Sequence, residues 1–345
     1  NNNNNNNYYL LGWGVVIPLA CWIPHGLLKV VHIGNRVVKL AAGNLANVVV
    51  FRTIEAMYDT SPHSVEQSLS NYITYYTSLV QFEWDQQTHT RKKMTGTELL
   101  QSIGMVLLFF HLSSLLLSFQ LQHNFLYFLE SPVTELHLYH FSLEDLFHWH
   151  HLANNYLLML TIYAVLNFGF RFTALGEQLK GGYATKPIFL NPVFGTRSLS
   201  EFWGKRWNLT IHNILYRGAF LPLRRFVPTT IVAVFGTFVA SGLLHDYAWS
   251  LTFASSNKEE EEEFFQPTFW KLTAFFLWNG AFMLLERPLG PLLYKYIGTY
   301  LPTILLSTLL GLTAVPVMHW YGGDWVTGGY FADLSLACWK IVPLE

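Results

Sequence analysis

The stretch FGTFVASGLLHDYAW (residues 235–249) sets Ser241, His245 and Asp246 inside an otherwise apolar run. An ionisable side chain in such a run faces a cavity or a partner more often than lipid, because a bare polar group in hydrocarbon is costly. Ser241 and His245 are four positions apart and share one helix face. Gly236 and Gly242 let neighbouring helices come close. The residue types admit two roles for His245. A structural histidine near the outer interface would simply hydrogen-bond a neighbour. A catalytic base would use its neutral imidazole, in a dry chamber, to take a hydroxyl proton near neutral pH.

Upstream, residues 191–227 read NPVFGTRSLSEFWGKRWNLTIHNILYRGAFLPLRRFV. A plain connection is short and polar, yet this one holds Phe194, Phe202, Trp203, Trp207, Tyr216 and Phe220 with Lys205, Arg206, Arg217, Arg224 and Arg225. Ser198 and Glu201 have capping-box spacing. A helix beginning at Leu199 would stack Phe202 over Arg206 and Trp203 over Trp207. Such a stretch suits an interfacial amphipathic helix with aromatic anchors. It equally suits the gate for an anionic, adenine-bearing cofactor, with basic groups on its phosphates and rings lining the entrance.

Other candidates carry less. His148, His150 and His151, after Glu144 and Asp145, lack the spacing of a metal-ligand set and read as a polar cap with an aromatic anchor. Cys21 and Cys338 form neither a disulfide framework nor a metal pattern. Glu286 and Arg287 can pair with each other. Asn208-Leu-Thr210 is formally a glycosylation sequon, discounted because the charge pattern puts it in the cytosol.

These residues must be positioned by membrane helices. Charged residues are 12% of the 345, while 51% are apolar and 17% aromatic. Soluble domains carry roughly 25% charge, so a water-soluble globule is excluded, and the aromatic content excludes disorder. A net charge of −1 offers nothing to nucleic acid. Six stretches meet the requirement of about 20 apolar residues for a span: 8–28, 99–118, 152–171, 228–250, 268–286 and 299–319, with 330–343 as a shorter seventh. The expected fold is all-α and polytopic: about seven transmembrane helices, within roughly six to nine, around a catalytic tunnel, plus interfacial amphipathic helices. One of the latter is expected over 45–60, on the cytosolic leaflet. Residues 1–7 are a solvated low-complexity tail and 8–345 one integral-membrane domain, with its motif core at 190–250.

Basic residues collect in 29–98, 172–227 and 287–298, whereas 119–151 and 254–267 are acidic. By the positive-inside rule the basic connections are cytosolic. No internal repeat supports a transporter built from inverted halves.

SLSEFWGKRWN (198–208), followed roughly 37 residues after Asn208 by SGLLHD (241–246) around His245, resembles the membrane-bound O-acyltransferase family, most closely its wax synthase branch. The resemblance covers about 190–250. It implies Asn208 and His245 as the active site and transfer of a fatty acyl group from acyl-CoA to the hydroxyl of a lipophilic alcohol. Acyl-CoA is then a co-substrate, with no tightly bound cofactor and no metal. Its binding residues would be Trp203, Lys205, Arg206 and Trp207, with Lys205 and Arg206 on the phosphates. The branch usually has Glu after its His; here Asp246 keeps the carboxylate one methylene shorter and is a third catalytic candidate, as partner of the imidazole. The partners implied are acyl-CoA, a long-chain, isoprenoid or sterol alcohol, and membrane lipid. The implied location is the endoplasmic reticulum, with 172–227 cytosolic. Competing functions are transfer of a short acyl group such as acetyl to a sterol or terpenoid alcohol, a heptahelical receptor, and a transporter using His245 as a proton relay.

Overall fold

The computed structural model describes residues 2–31, 33–63, 65–85, 87–88, 90–122, 149–196, 198–254 and 270–297. Their helices are α1 (Asn2–Leu11), α2 (Ile17–Val31), α3 (Arg36–Met57), α4 (Leu69–Thr77), α5 (Gly96–Gln122), α6 (Trp149–Gly181), α7 (Pro192–Gly195), α8 (Leu199–Glu201), α9 (Leu209–Leu215), α10 (Leu221–Phe226), α11 (Thr230–Thr252) and α12 (Lys271–Ile297). Wider π turns occupy Gly12–Val16, Phe202–Arg206 and Tyr216–Phe220. No strand occurs among the described residues; isolated bridges are present, such as the antiparallel one between Lys93 and Tyr183.

Among the described residues, five helical segments are long and apolar enough to cross a membrane: Asn7–Val31, Arg36–Met57, Gly96–Phe119, Tyr156–Gly181 and Thr230–Thr252. The protein is an all-α polytopic membrane protein. Four of these segments coincide with the stretches expected at 8–28, 99–118, 152–171 and 228–250. The stretch 268–286 falls on α12, where Lys271, Asn279 and Glu286 interrupt the apolar run, and it is not among the five. The stretches 299–319 and 330–343 lie outside the described residues. The Asn-rich tail, expected to be solvated, is helical from Asn2 and leads directly into the first span.

Arg36–Met57 corrects the expectation that 29–98 is one cytosolic connection with a leaflet-bound helix at 45–60. The helix starts at Asn35, whose Oδ1 accepts the Val38 amide at 3.1 Å. It buries Lys39, Gly43, Asn47, Phe51 and Glu55, a stripe repeating every four residues. In sequence those charges look like a wetted face; in the structure each is satisfied inside the protein.

The chain clusters into two compact units. The first holds Asn1–Thr90 and Asn208–Leu285. Its centre is the packing of α3 on α11. Lys39 Nζ donates to Ala254 O at 2.6 Å, putting a cation at the C-terminal end of α11, where the helix dipole favours it. A Cβ on Gly43 would sit 2.9 Å from Ala248 Cα, so the two backbones nearly touch there. Lower down, Val48, Phe51, Ile214, Leu215, Ala219 and Leu244 form one buried cluster. In lipid such contacts hold by van der Waals packing and interhelical hydrogen bonds rather than by escape from water.

At the end of α3, Glu55 is fully buried, bonded to Arg52 Nη1 at 2.8 Å and to the Tyr75 hydroxyl at 2.5 Å. The Arg52 guanidinium lies 3.6 Å over the Tyr75 ring. This network ties α4 to α3. The following loop meets the α9–α10 segment: Thr60 Oγ1 donates to Arg217 O at 2.7 Å and Arg225 Nη2 to Asp59 O at 3.2 Å.

The second unit holds Arg91–Trp207 and Glu286–Glu345. Here α5 packs on α6, burying Ser113, Ser114, Ser118, Thr161 and Asn167. The segments at their ends pair through Met94 N to Gly182 O and Ala184 N to Lys92 O, both 2.9 Å.

Candidate active site

His245 lies in α11, a helix of mostly apolar residues whose own backbone bonds make it stable at membrane depth. Its Nδ1 is 2.6 Å from Ser241 O. A carbonyl only accepts, so this partner assigns the proton to Nδ1 and leaves the basic lone pair of the neutral ring on Nε2. The shared face foreseen for Ser241 and His245 thus acts through the Ser241 main chain. The ring packs against Phe276, with centroids 4.4 Å apart.

Asp246 lies against the start of α12. It is 3% exposed, and its carboxylate accepts Leu272 N at 3.3 Å, Thr273 N at 3.2 Å and Thr273 Oγ1 at 2.5 Å. Adjacent residues of a helix project about 100° apart; the Asp246 carboxylate meets the first turn of α12, while His245 Nδ1 meets the Ser241 carbonyl and its ring lies on Phe276 further along α12. The carboxylate satisfies amides that the start of α12 leaves unpaired and lies at the positive end of its dipole. Gly242, one turn earlier, lets α12 approach: a Cβ there would strike Thr273.

Asn47 is missing from the sequence-based candidates. From α3, its Nδ2 donates to Leu244 O at 2.8 Å, one residue before His245. The only signal in the sequence is the four-residue repeat of Lys39, Gly43, Asn47, Phe51 and Glu55, which the charges disguise.

Asn208 is in the same unit as His245. It has a left-handed backbone (φ 38°, ψ 65°), which asparagine tolerates better than most residues. Its Oδ1 accepts Ile211 N at 3.3 Å and its main-chain oxygen accepts His212 N at 2.9 Å, so it starts α9. Ile211 and Ile214 of α9 then pack on the cluster that contains Leu244. Because capping uses Oδ1, the chemistry left to the side chain is that of its NH2 donor.

Trp203, Lys205, Arg206 and Trp207 belong to the second unit. Ser198 Oγ accepts Glu201 N at 2.9 Å, half of the expected capping box. Glu201 also bonds Arg206 Nη2 at 2.7 Å and Nε at 2.8 Å. Glu286 instead accepts Leu199 N, Ser200 N and Ser200 Oγ at 2.8–3.1 Å, replacing the pair expected with Arg287. The helix then widens. Trp207 N donates to Phe202 O at 2.8 Å, a five-residue step. The added residue per turn brings Phe202 onto Trp207 (5.1 Å, 19°) rather than onto Arg206, while Trp203 meets Trp207 edge-on at 6.4 Å. Trp207 also packs against Phe189 and Tyr163. Arg206 further donates to Leu190 O at 2.9 Å, so its guanidinium holds the turn. Lys205 is exposed. The His148, His150 and His151 side chains lie outside the described residues.

Residues 186–277 match the model of the membrane bound O-acyl transferase family. The chain is 31% identical over 112 residues to a protein of Arabidopsis thaliana named probable long-chain-alcohol O-fatty-acyltransferase 2, covering 30% of this chain and 29% of that protein. It is 32% identical over 133 residues to the acyl-CoA–sterol O-acyltransferase 1 of the same plant, 35% of each chain. It is 32% identical over 103 residues to the long-chain-alcohol O-fatty-acyltransferase of Simmondsia chinensis, 28% of this chain and 26% of that one. The matches span about a third or less of the relatives' length.

Proposed function

We propose, from the match of residues 186–277 to the membrane bound O-acyl transferase family, that the protein transfers a fatty acyl group from acyl-CoA to the hydroxyl of a lipophilic alcohol. The relatives named as long-chain-alcohol acyltransferases favour a wax-type ester as product. The observation that carries the reading is the 2.6 Å approach of His245 Nδ1 to Ser241 O. With Nδ1–H given to that carbonyl, Nε2 is the basic atom of the neutral ring.

The reaction follows from these groups. Nε2 takes the hydroxyl proton as the alcohol oxygen attacks the thioester carbonyl. The carbon–sulfur bond breaks, and the imidazolium returns the proton to the departing CoA sulfur, giving ester, free CoA and neutral His245. General-base catalysis of this kind supplies roughly 10²–10⁴-fold. The Asn208 NH2 would donate to the carbonyl oxygen as it gains charge. Lys205 is the cation for the CoA phosphates, beside Trp203 and Trp207; Arg206, bound to Glu201, contributes through the shape of the turn. The protein would act in the endoplasmic reticulum membrane, with the 172–227 connection on the cytosolic side, where acyl-CoA is supplied.

The test is ester formation in microsomes containing the protein, given radiolabelled palmitoyl-CoA with hexadecanol, a sterol or diacylglycerol, beside His245→Ala. Ester from hexadecanol that His245→Ala loses is the expected result. Preference for the sterol would move the acceptor toward that of the sterol acyltransferase relative. Equal ester from both proteins removes His245 as the base, and no ester with any acceptor removes the enzyme class.

A further inference from the structure

His245 sits between two residues that are each tied to a different helix. Leu244 O receives Asn47 Nδ2 from α3 at 2.8 Å, and the Asp246 carboxylate receives the first amides of α12. Asn47 is 6% exposed and sits on the buried stripe of α3, between Gly43, which admits Ala248, and Phe51, which packs in the Leu244 cluster. Apart from this bond, α3 meets α11 near His245 through apolar contacts. Such contacts are non-directional, so they resist separation better than rotation or sliding. A hydrogen bond aimed at one carbonyl is directional. A one-residue slip of α11 would move His245 about 1.5 Å along the axis and turn it by about 100°.

We infer that Asn47 is a positioning residue for the reaction proposed above, fixing the height and rotation of α11 so that the His245 imidazole meets the acceptor hydroxyl. The inference rests on that acyltransferase reading. A mid-helix carbonyl already accepts the amide four residues on, so the bond from Asn47 is not needed to satisfy Leu244 O. Its effect is on register, the best-attested use of a lone buried polar side chain between helices. Lys39 makes the comparable bond from the same stripe, but eight residues away at the far end of α11. It holds the helices together without bearing on His245.

The experiment uses the full chain in membranes, with palmitoyl-CoA and hexadecanol, and reads kcat, both KM values and the thermal unfolding midpoint. Asn47→Leu keeps the branching at Cγ and removes the donor. It should lower kcat ten- to a hundredfold, the order expected for misplacement by about 1 Å, and leave both KM values within about twofold. Lys39→Met should lower the unfolding midpoint while kcat per folded enzyme stays within about twofold. Wild-type kcat in Asn47→Leu overturns the inference, as does loss of kcat in both variants in proportion to their loss of stability. If Asn47→Leu does not accumulate, Asn47→Thr and Asn47→Val have the same shape with and without a hydroxyl donor. Thr above Val in kcat supports positioning, and equality overturns it. A wild-type protein that makes no ester with any acceptor overturns the acyltransferase reading itself, whereas an active wild type beside a normal Asn47→Leu overturns only the role of Asn47.

Discussion

The Asp246 carboxylate receives both the amide and the hydroxyl of Thr273, at 3.2 and 2.5 Å, and so anchors the start of α12. Asp246→Asn removes the charge and half of the accepting capacity at a buried site. A loss of about 1–3 kcal/mol in stability is expected, as for a buried group left with unmet bonds. Thermal unfolding of the purified protein should show the drop. Turnover of the surviving enzyme should fall far less than in His245→Ala. A carboxylate that oriented the imidazole would give the reverse, with turnover lost and stability kept.

Asn208 has two separable duties. Its Oδ1 starts α9, and its NH2 is the group left for the substrate. Asn208→Asp keeps a capping oxygen and a side chain that tolerates the left-handed backbone, but replaces the donor by a second acceptor. Stability should remain within about 0.5 kcal/mol, while kcat falls more than tenfold because a negative oxygen would face the developing oxyanion. Asn208→Ala should show both defects, adding about 1 kcal/mol for the lost cap. Paired unfolding and kinetic measurements on the two variants separate the duties.

Lys205 and Arg206 are adjacent cations with different employment. The Arg206 guanidinium is bonded to Glu201 and to Leu190 O, and Lys205 is exposed. Lys205→Met should raise the KM for acyl-CoA several-fold, leave stability unchanged, and do so less at high salt, where screening already weakens the interaction. Arg206→Met should instead destabilise the turn. Equal KM effects from both, with no change in stability, would return Arg206 to the phosphates.

Much of this was readable in the sequence, for reasons that differ by element. Long apolar runs announce themselves, so four of the spans appear at their expected places. The Ser198 cap and the aromatic cluster were legible because capping and ring spacing are local. The α3 span was not, because Lys39, Arg52 and Glu55 lower its apparent apolarity and their partners come from Ala254 and Tyr75, remote in sequence. The partner of Asp246 was hidden for the same reason: nothing local to 241–246 says that Thr273 will lie against it. The π turn at Phe202–Arg206 puts Phe202 on Trp207 instead of Arg206, and a regular helix repeat does not foresee that shift.

The Tyr75 hydroxyl donates to the buried Glu55 carboxylate at the end of α3. Burial holds its pKa well above the ordinary tyrosine value; Arg52 pulls the other way and Glu55 adds to the rise. Below about pH 10, where a tyrosine ordinarily ionises, both folded and unfolded chains keep this proton and its contribution to stability is complete. Above that pH the unfolded chain releases it while the folded one retains it. The folded state then binds more protons, and stability falls as pH rises. Tyr76, also raised by burial and bonded to Ser61, acts in the same direction. The unfolding midpoint should therefore fall progressively as the pH rises above about 10. Tyr75→Phe should shallow that drop, with Tyr76 keeping part of it. At neutral pH the same variant should lose about 1.5–3 kcal/mol, since a fully buried carboxylate gives up one hydrogen bond. An alkaline slope in Tyr75→Phe as steep as in the wild type would show that this proton is not the one released.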